Sequence, residues 1–227
     1  MKWIKCLVAF ALLGWAISAQ AQMGMDYFSR PTFAKVFHPT AGKGGEYDIT
    51  RKSAGDTKSM TMDIGVVGKE NSAGADAYWI QTVMSGDKGQ PMVGKMLMTF
   101  TPDVKIVRMI VQQPGQQAME MPMNFGGQNQ AKMEQNLNDW HSVGTETITV
   151  PAGTFSCEHW KNDGTGGEVW TSEKVPTYGM VKMISKDSTM VLVKVLDNYQ
   201  DKITGPVKTF DMQEMMQQMQ QQRQQKP

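Results

Sequence analysis

The residues best placed to do chemistry are Cys157 and His159, two positions apart in a segment with strand character. Side chains alternate along a strand, so this spacing puts both on one face. A thiol and an imidazole there could begin a soft-metal site or form a nucleophile with its base. The alternative is a buried cysteine packed beside a histidine. This packing alternative is favoured, because the sequence shows no electropositive, accessible setting for a reactive thiol.

Methionine is the second candidate, because the chain contains 21 of them. Met119, Met121 and Met123 alternate with other residues in a polar stretch where core packing need not explain them. Thioethers are soft ligands that suit Cu(I) and Ag(I), so these three residues are the predicted metal ligands. Two other interpretations stay open. Methionine also forms deformable apolar surfaces for irregular ligands, and it also fills cores.

Catalytic signatures are absent from the sequence. It contains neither a G-x-S-x-G nor an H-E-x-x-H motif, and its glycine-rich turn near residue 165 lacks the context of a phosphate-binding loop. Besides His159 the only histidines are His38 and His141, too few for a typical zinc site of three or four ligands. We therefore predict a protein that is not an enzyme and that carries no cofactor.

The N-terminus has the pattern of a secretory leader. Lys2 and Lys5 precede an apolar run over residues 6–17, and Ser18–Ala21 supplies a small-residue cleavage site. The run is shorter than the roughly 20 residues that a membrane span needs. The sequence thus predicts a signal peptide over residues 1–21 and an exported, periplasmic mature chain without a transmembrane segment.

Charge and cysteine content narrow the function classes further. The formal net charge is +1, which gives no electrostatic signature for nucleic acid. The chain has two cysteines, and removal of Cys6 with the leader would leave Cys157 without an intramolecular partner. We therefore expect a fold stabilised by its apolar core, for which a chain of this length suffices.

The elements that must position these side chains are predicted to be strands. Period-2 alternation is typical of sheets with one buried face, and short turn signals between the segments favour consecutive hairpins. Met60, Met62, Ile64 and Val66, for example, are predicted to share a face. The predicted strands cover residues 46–52, 59–67, 77–84, 92–101, 104–112, 146–150, 154–161, 167–172, 179–186 and 190–198.

Two regions break the strand pattern. Residues 114–130 are rich in Gln, Gly, Pro and Met and are predicted to form a long loop, followed by a short middle helix over residues 131–137. From residue 207 to 219 methionines recur at helical spacing, which predicts a C-terminal helix before a disordered Gln-rich tail. The predicted domains are therefore 1–21, a β domain over 22–206, and 207–227.

One segment carries a family resemblance. It comprises Gly144, Glu146, Ile148, Val150–Phe155, Cys157, His159, Val169–Trp170, Ser172, Val175–Pro176 and Gly179–Lys182. This pattern resembles exported bacterial families of unknown function with a VPAGTF and VW-x-S-x-x-VP signature, which look like distant relatives of the outer-membrane lipoprotein-carrier (Lol-type) fold. The resemblance implies a curved antiparallel sheet with an apolar concave face plugged by helices. The resemblance does not indicate a substrate.

The fold class predicted from pattern and resemblance together is mainly β. We expect a strongly curved antiparallel half-barrel of about ten to twelve strands, with a short middle helix and a C-terminal helix. The leading functional hypothesis is a non-catalytic periplasmic binding or carrier protein for an apolar ligand, such as a lipid. The alternatives are a methionine-rich Cu(I)/Ag(I)-binding protein and a structural or interaction module of the cell envelope.

Overall fold

The computed structural model describes residues 37–53, 56–86, 91–100, 105–121 and 140–209. The predicted leader, the predicted middle helix, Met123 and the methionine stripe beyond residue 209 lie outside these ranges. Twelve strands are present: β1 Lys43–Ser53, β2 Asp56–Ser72, β3 Ala75–Gly86, β4 Met92–Thr99, β5 Lys105–Gln112, β6 Met119–Met121, β7 Trp140–Val150, β8 Gly153–Asn162, β9 Glu168–Thr171, β10 Met180–Ile184, β11 Ser188–Asp197 and β12 Lys208–Thr209.

All twelve strands belong to one sheet, built from two meanders. Its order is β12-β6-β5-β4-β3-β2-β1-β11-β10-β9-β8-β7. The first meander runs outward from β1 to β6. The second begins at the far edge with β7 and returns to β11, which pairs antiparallel with β1. The β1–β11 ladder therefore joins the two halves. The first strand of the first meander lies beside the last strand of the second, at the middle of the sheet.

For the described residues the predicted fold class is wrong, because they contain no helix and form a mixed sheet instead of a purely antiparallel one. A helix long and apolar enough to cross a membrane is not found in the part of the chain that the structure describes. Where the C-terminal helix was predicted to begin, Lys208–Thr209 instead forms β12, parallel to β6. The Lys208 amide donates to the Ala118 carbonyl at 2.9 Å. Backbone groups of this segment thus pair with the open edge of β6. This pairing outweighs the helical period of the local sequence.

The loop predicted over residues 114–130 is also partly wrong, because it contains β6. Met119–Met121 pairs antiparallel with β5, with Met109 opposite Met121 and Val111 opposite Met119. The strand is three residues long, too short to show an alternating pattern of its own. Its position at the end of the first meander makes it the strand on which β12 docks.

A C-terminal segment, residues 198–207, crosses one face of the first meander on its way to β12. The buried Gln81 amide donates to the Gln200 carbonyl at 3.2 Å and accepts from the Lys202 amide at 2.8 Å. Further along, the Gln112 side chain exchanges hydrogen bonds of 2.9 Å with the Thr204 backbone. These paired bonds satisfy the buried Gln81 amide and fix the segment on this face.

The main core lies where the two meanders join. Tyr47 on β1 is 1% exposed, and Leu192 on β11 and Val181 on β10 are fully buried. The Tyr47 hydroxyl donates to the Met180 carbonyl at 3.1 Å, which bonds the two meanders side by side. Apolar side chains of β1, β2, β3, β4, β7, β8, β9, β10 and β11 contribute to this cluster, so it links both meanders through the β1–β11 junction.

Candidate functional site

Cys157 is a packed thiol at the centre of β8. It is 1% exposed, and its Sγ lies 3.7 Å from the Phe155 carbonyl oxygen. Burial, with a smaller contribution from the nearby Glu146 carboxylate, raises the pKa of this thiol to about 11. A thiol with so high a pKa is protonated at neutral pH and is a weak nucleophile and metal ligand. The side chain therefore serves the core here.

His159, two residues further along β8, is held between two carboxylates. Its Nδ1 lies 2.9 Å from Glu146 Oε1 and its Nε2 lies 2.8 Å from Glu168 Oε2. A neutral imidazole has a single N–H, so both contacts are hydrogen bonds only when the ring is doubly protonated. Burial alone would raise the pKa of Glu168, but hydrogen bonds from His159 and Lys161 outweigh it and hold that pKa below its ordinary value.

Trp170 completes this cluster on β9. Its ring stacks on the His159 ring with centroids 4.2 Å apart, and the Lys182 ammonium lies 4.8 Å from the indole centroid on β10. Its indole N–H donates to Glu146 at 2.5 Å. Both His159 ring nitrogens and the Trp170 indole N–H thus contact a carboxylate on another strand. The arrangement ties β7, β8 and β9 together, and Lys182 adds a contact from β10.

Cys157 and His159 are the predicted soft-metal candidates on β8. Within the described ranges, no group of three or more His, Cys, Asp or Glu side chains is arranged to hold a metal ion. Cys157 and His159 share a face of β8, as their spacing predicts, but both imidazole nitrogens face carboxylates.

The methionines are brought together on a different part of the sheet. Directly opposed residues of an antiparallel pair project from the same face, so the strand register shows which side chains are neighbours. Nearly all of the described methionines share one face, which we call the methionine face: Met60, Met62, Met84, Met92, Met96, Met98, Met109, Met119, Met121, Met183 and Met190. It is opposite to the face crossed by residues 198–207.

Six of these residues form two cross-strand rows of three. In the β2–β4 triad, Met62 is opposite Met84 and Met84 is opposite Met92. In the β4–β6 triad, Met96 is opposite Met109 and Met109 is opposite Met121. On β4 the two triads are four residues apart, which corresponds to about 13 Å along an extended strand.

Smaller side chains occupy the row between the triads. Gly94 lies midway between Met92 and Met96, and its partners on the neighbouring strands are Thr82 and Val111. A Cβ built on Gly94 meets no described atom within 4 Å, so the space above this glycine is open. The floor of Thr82, Gly94 and Val111 and the two triads form what we call the methionine trough. The β2–β4 triad borders Thr82 and Gly94, the β4–β6 triad borders Gly94 and Val111, and the two rows face each other at Gly94.

The residues of the trough are neither core nor surface. Thr82, Val111 and all six triad methionines are half-buried. Met62 and Met96 pack against the core cluster of the described residues, whereas Met84, Met92, Met109 and Met121 do not belong to it. Among the described residues, core packing therefore explains only part of this apolar, half-buried surface.

Comparisons with known proteins find little. No family model matches the chain, and no curated protein matches it. A Bacteroides fragilis protein described as exported with a YmcC-like fold is 13% identical, with a TM-score of 0.36 over 70% of this chain and 98% of that one. A Parabacteroides distasonis protein described as a lipoprotein is 16% identical, with a TM-score of 0.36 over 70% and 97%. Similarities this weak carry no conclusion, and the family resemblance of Glu146–Lys182 stays a prediction.

The predicted thioether ligands Met119 and Met121 lie on β6, on the methionine face, with their side chains half-buried. Met123 lies outside the described residues. Their neighbours on that face come from other strands: Met121 lies opposite Met109, and Met119 lies opposite Val111. The pairing of β6 with β5 thus shows which methionines are neighbours better than the spacing within residues 119–123 does.

Met109 is the trough residue that alternation alone misplaces. Strict period-2 alternation puts Ile106, Arg108 and Ile110 on one face of β5. The register shifts between Leu97 and Met98, so Ile106 is opposite Met98 whereas Arg108 is opposite Leu97. A β-bulge inserts one extra residue and reverses the faces beyond it. Ile106 and Met109 consequently share the methionine face, with Arg108 on the other side.

Proposed function

We propose that this protein is an exported, non-catalytic binding protein that holds a linear apolar chain, such as a fatty acyl chain, in the methionine trough. The observation that carries the proposal is the open floor at Gly94 between two rows of half-buried methionines. Burial of the apolar side chains on both walls would contribute about 25 cal/mol to the free energy of binding for each Å² that a ligand removes from water.

The shape of the trough favours a narrow ligand. Its floor is one row of side chains that crosses β3, β4 and β5, with Gly94 in the centre. Neighbouring strands are about 4.8 Å apart, so this floor extends roughly 10 Å across three strands. A single extended chain could lie along this row, with Met92 and Met96 on either side of it at Gly94.

Methionine suits walls of this kind. Its side chain is unbranched and has three rotatable bonds, so it adapts to ligands of irregular or variable shape. A wall of branched residues would fix one shape. Six methionines in two rows that overlap on β4 therefore favour a site that accepts a class of apolar chains over one that selects a single molecule.

The proposal is tested by a matched pair of substitutions on β3. Met84 lies in the trough wall and Val83 is its neighbour on the opposite face, and both are half-buried. Met84→Gln keeps the size of the side chain but places an amide in the wall. We expect it to weaken binding of a dansyl-labelled fatty acid about five- to tenfold, because a buried amide without a partner costs on the order of 1 kcal/mol.

Val83→Gln is the control, and we expect the affinity of this variant to stay within about twofold of that of the original protein, a difference of about 0.4 kcal/mol. Fluorescence titration measures both, and circular dichroism checks that both variants fold. Equal loss of affinity in the two variants, or no binding of the probe by the unmodified protein, would contradict the proposal.

A further inference from the structure

We infer that the β4–β6 triad of Met96, Met109 and Met121 is a binding site for a soft monovalent cation, Cu(I) or Ag(I). The same triad is one wall of the trough, but a cation needs the thioether sulfurs whereas the proposed apolar ligand needs only an apolar wall. The two proposals can therefore be tested separately.

The donor set points to a soft, singly charged ion. Thioether sulfur is a neutral soft ligand that favours Cu(I), whereas zinc, calcium and magnesium prefer imidazole, thiolate or oxygen donors. The charged neighbours on these strands, Arg108 and Glu120, pair with each other through hydrogen bonds of 2.6 and 2.9 Å. Arg108 lies opposite Leu97, and Glu120 alternates with Met119 and Met121, so this ion pair is on the other face of the sheet.

The geometry supplies three donors on adjacent strands at one level of the sheet. Met109 is directly opposite both Met96 and Met121, and directly opposed side chains have Cβ atoms about 5 Å apart. Flexible methionine side chains can therefore direct their sulfurs to a common point above Met109. Met119, diagonal to Met109 on β6, is within reach as a fourth donor.

The β2–β4 triad has the same composition and a similar setting. Met62 packs against the core cluster and lies opposite the buried Tyr47, and Met96 of the β4–β6 triad packs against the same cluster and lies opposite the buried Ile80. The other two methionines of each triad are outside the cluster. Because the two triads contain the same residue types on the same face, the β2–β4 triad is an internal control for the β4–β6 triad.

The test replaces each triad with leucine in the full-length protein. One variant carries Met96→Leu, Met109→Leu and Met121→Leu, and the other carries Met62→Leu, Met84→Leu and Met92→Leu. Leucine removes the sulfur but keeps an apolar side chain of similar volume, a change that cores usually tolerate. Ag(I) titration by calorimetry and Cu(I) competition with a chromogenic chelator, under reducing conditions, measure the affinities.

We expect the β4–β6 variant to lose at least roughly tenfold in affinity for both ions, or about 1.4 kcal/mol, and the β2–β4 variant to match the original protein. Loss in the β2–β4 variant alone, equal loss in both, or loss in neither would overturn the inference. The apolar site is tested separately by fatty-acid titration of Met84→Gln and Val83→Gln, which leave the sulfurs of the β4–β6 triad in place. A failure of the metal site is thereby distinguishable from a failure of the apolar site.

Discussion

Replacing Gly94 with leucine is expected to weaken binding of an apolar probe at least roughly tenfold while making the protein more stable. The leucine side chain would fill the open space above the trough floor, where a Cβ meets no described atom within 4 Å. Glycine within a strand is destabilising by about 0.5–1 kcal/mol relative to alanine, so the substitution also removes this cost. Probe titration and urea unfolding measure the two effects.

Gly94→Ala is the matched control for this prediction. It gains the same backbone restraint but adds a single methyl group, so we expect the gain in stability with most of the binding retained. Destabilisation by Gly94→Leu would show that the space above Gly94 is filled in the folded protein. Undiminished binding in a stable Gly94→Leu variant would show that the ligand lies elsewhere.

Replacing Tyr47 with alanine is expected to lower the free energy of unfolding by about 3–5 kcal/mol, the usual range for a large aromatic residue deleted from a core. The side chain is 1% exposed and lies at the β1–β11 junction, where the two meanders join. Its burial also raises the pKa of the phenol well above the usual range, so the hydroxyl stays protonated and donates to the Met180 carbonyl.

Tyr47→Phe separates packing from hydrogen bonding at the same position. It keeps the ring and removes the bond to Met180, so we expect a loss of about 1 kcal/mol. Urea unfolding followed by circular dichroism measures both variants. If Tyr47→Ala costs no more than Tyr47→Phe, the β1–β11 junction is not the packing centre of the sheet.

Much of the first meander could be predicted because each of its strands is amphipathic by itself. Met60, Met62, Ile64 and Val66 share a face as their alternation predicts. β6 and β12 could not be predicted in this way. They are three and two residues long, and each exists because it pairs with a distant segment: β6 with β5, and β12 with β6. Pairing of this kind is a tertiary effect that outweighs local preference.

The candidate site was only partly accessible from sequence. Clusters such as Met92 with Met96 are visible along the chain, but a trough requires knowledge of which strands are neighbours and in what register. The bulge at Leu97/Met98 decides that Met109 lies opposite Met96, and no local pattern marks it. Likewise, the carboxylate partners of His159 come from β7 and β9, 13 residues before it and nine after it.

The most direct test of the central claim is a titration of protein labelled with ¹³C-methyl methionine with an unlabelled long-chain fatty acid, followed by NMR. Binding in the trough predicts the largest methyl shifts at Met84, Met92, Met96 and Met109, with little change at Met183 and Met190, which share the face but lie on β10 and β11. No shifts at saturating fatty acid, or shifts confined to methionines outside the trough, would contradict the claim.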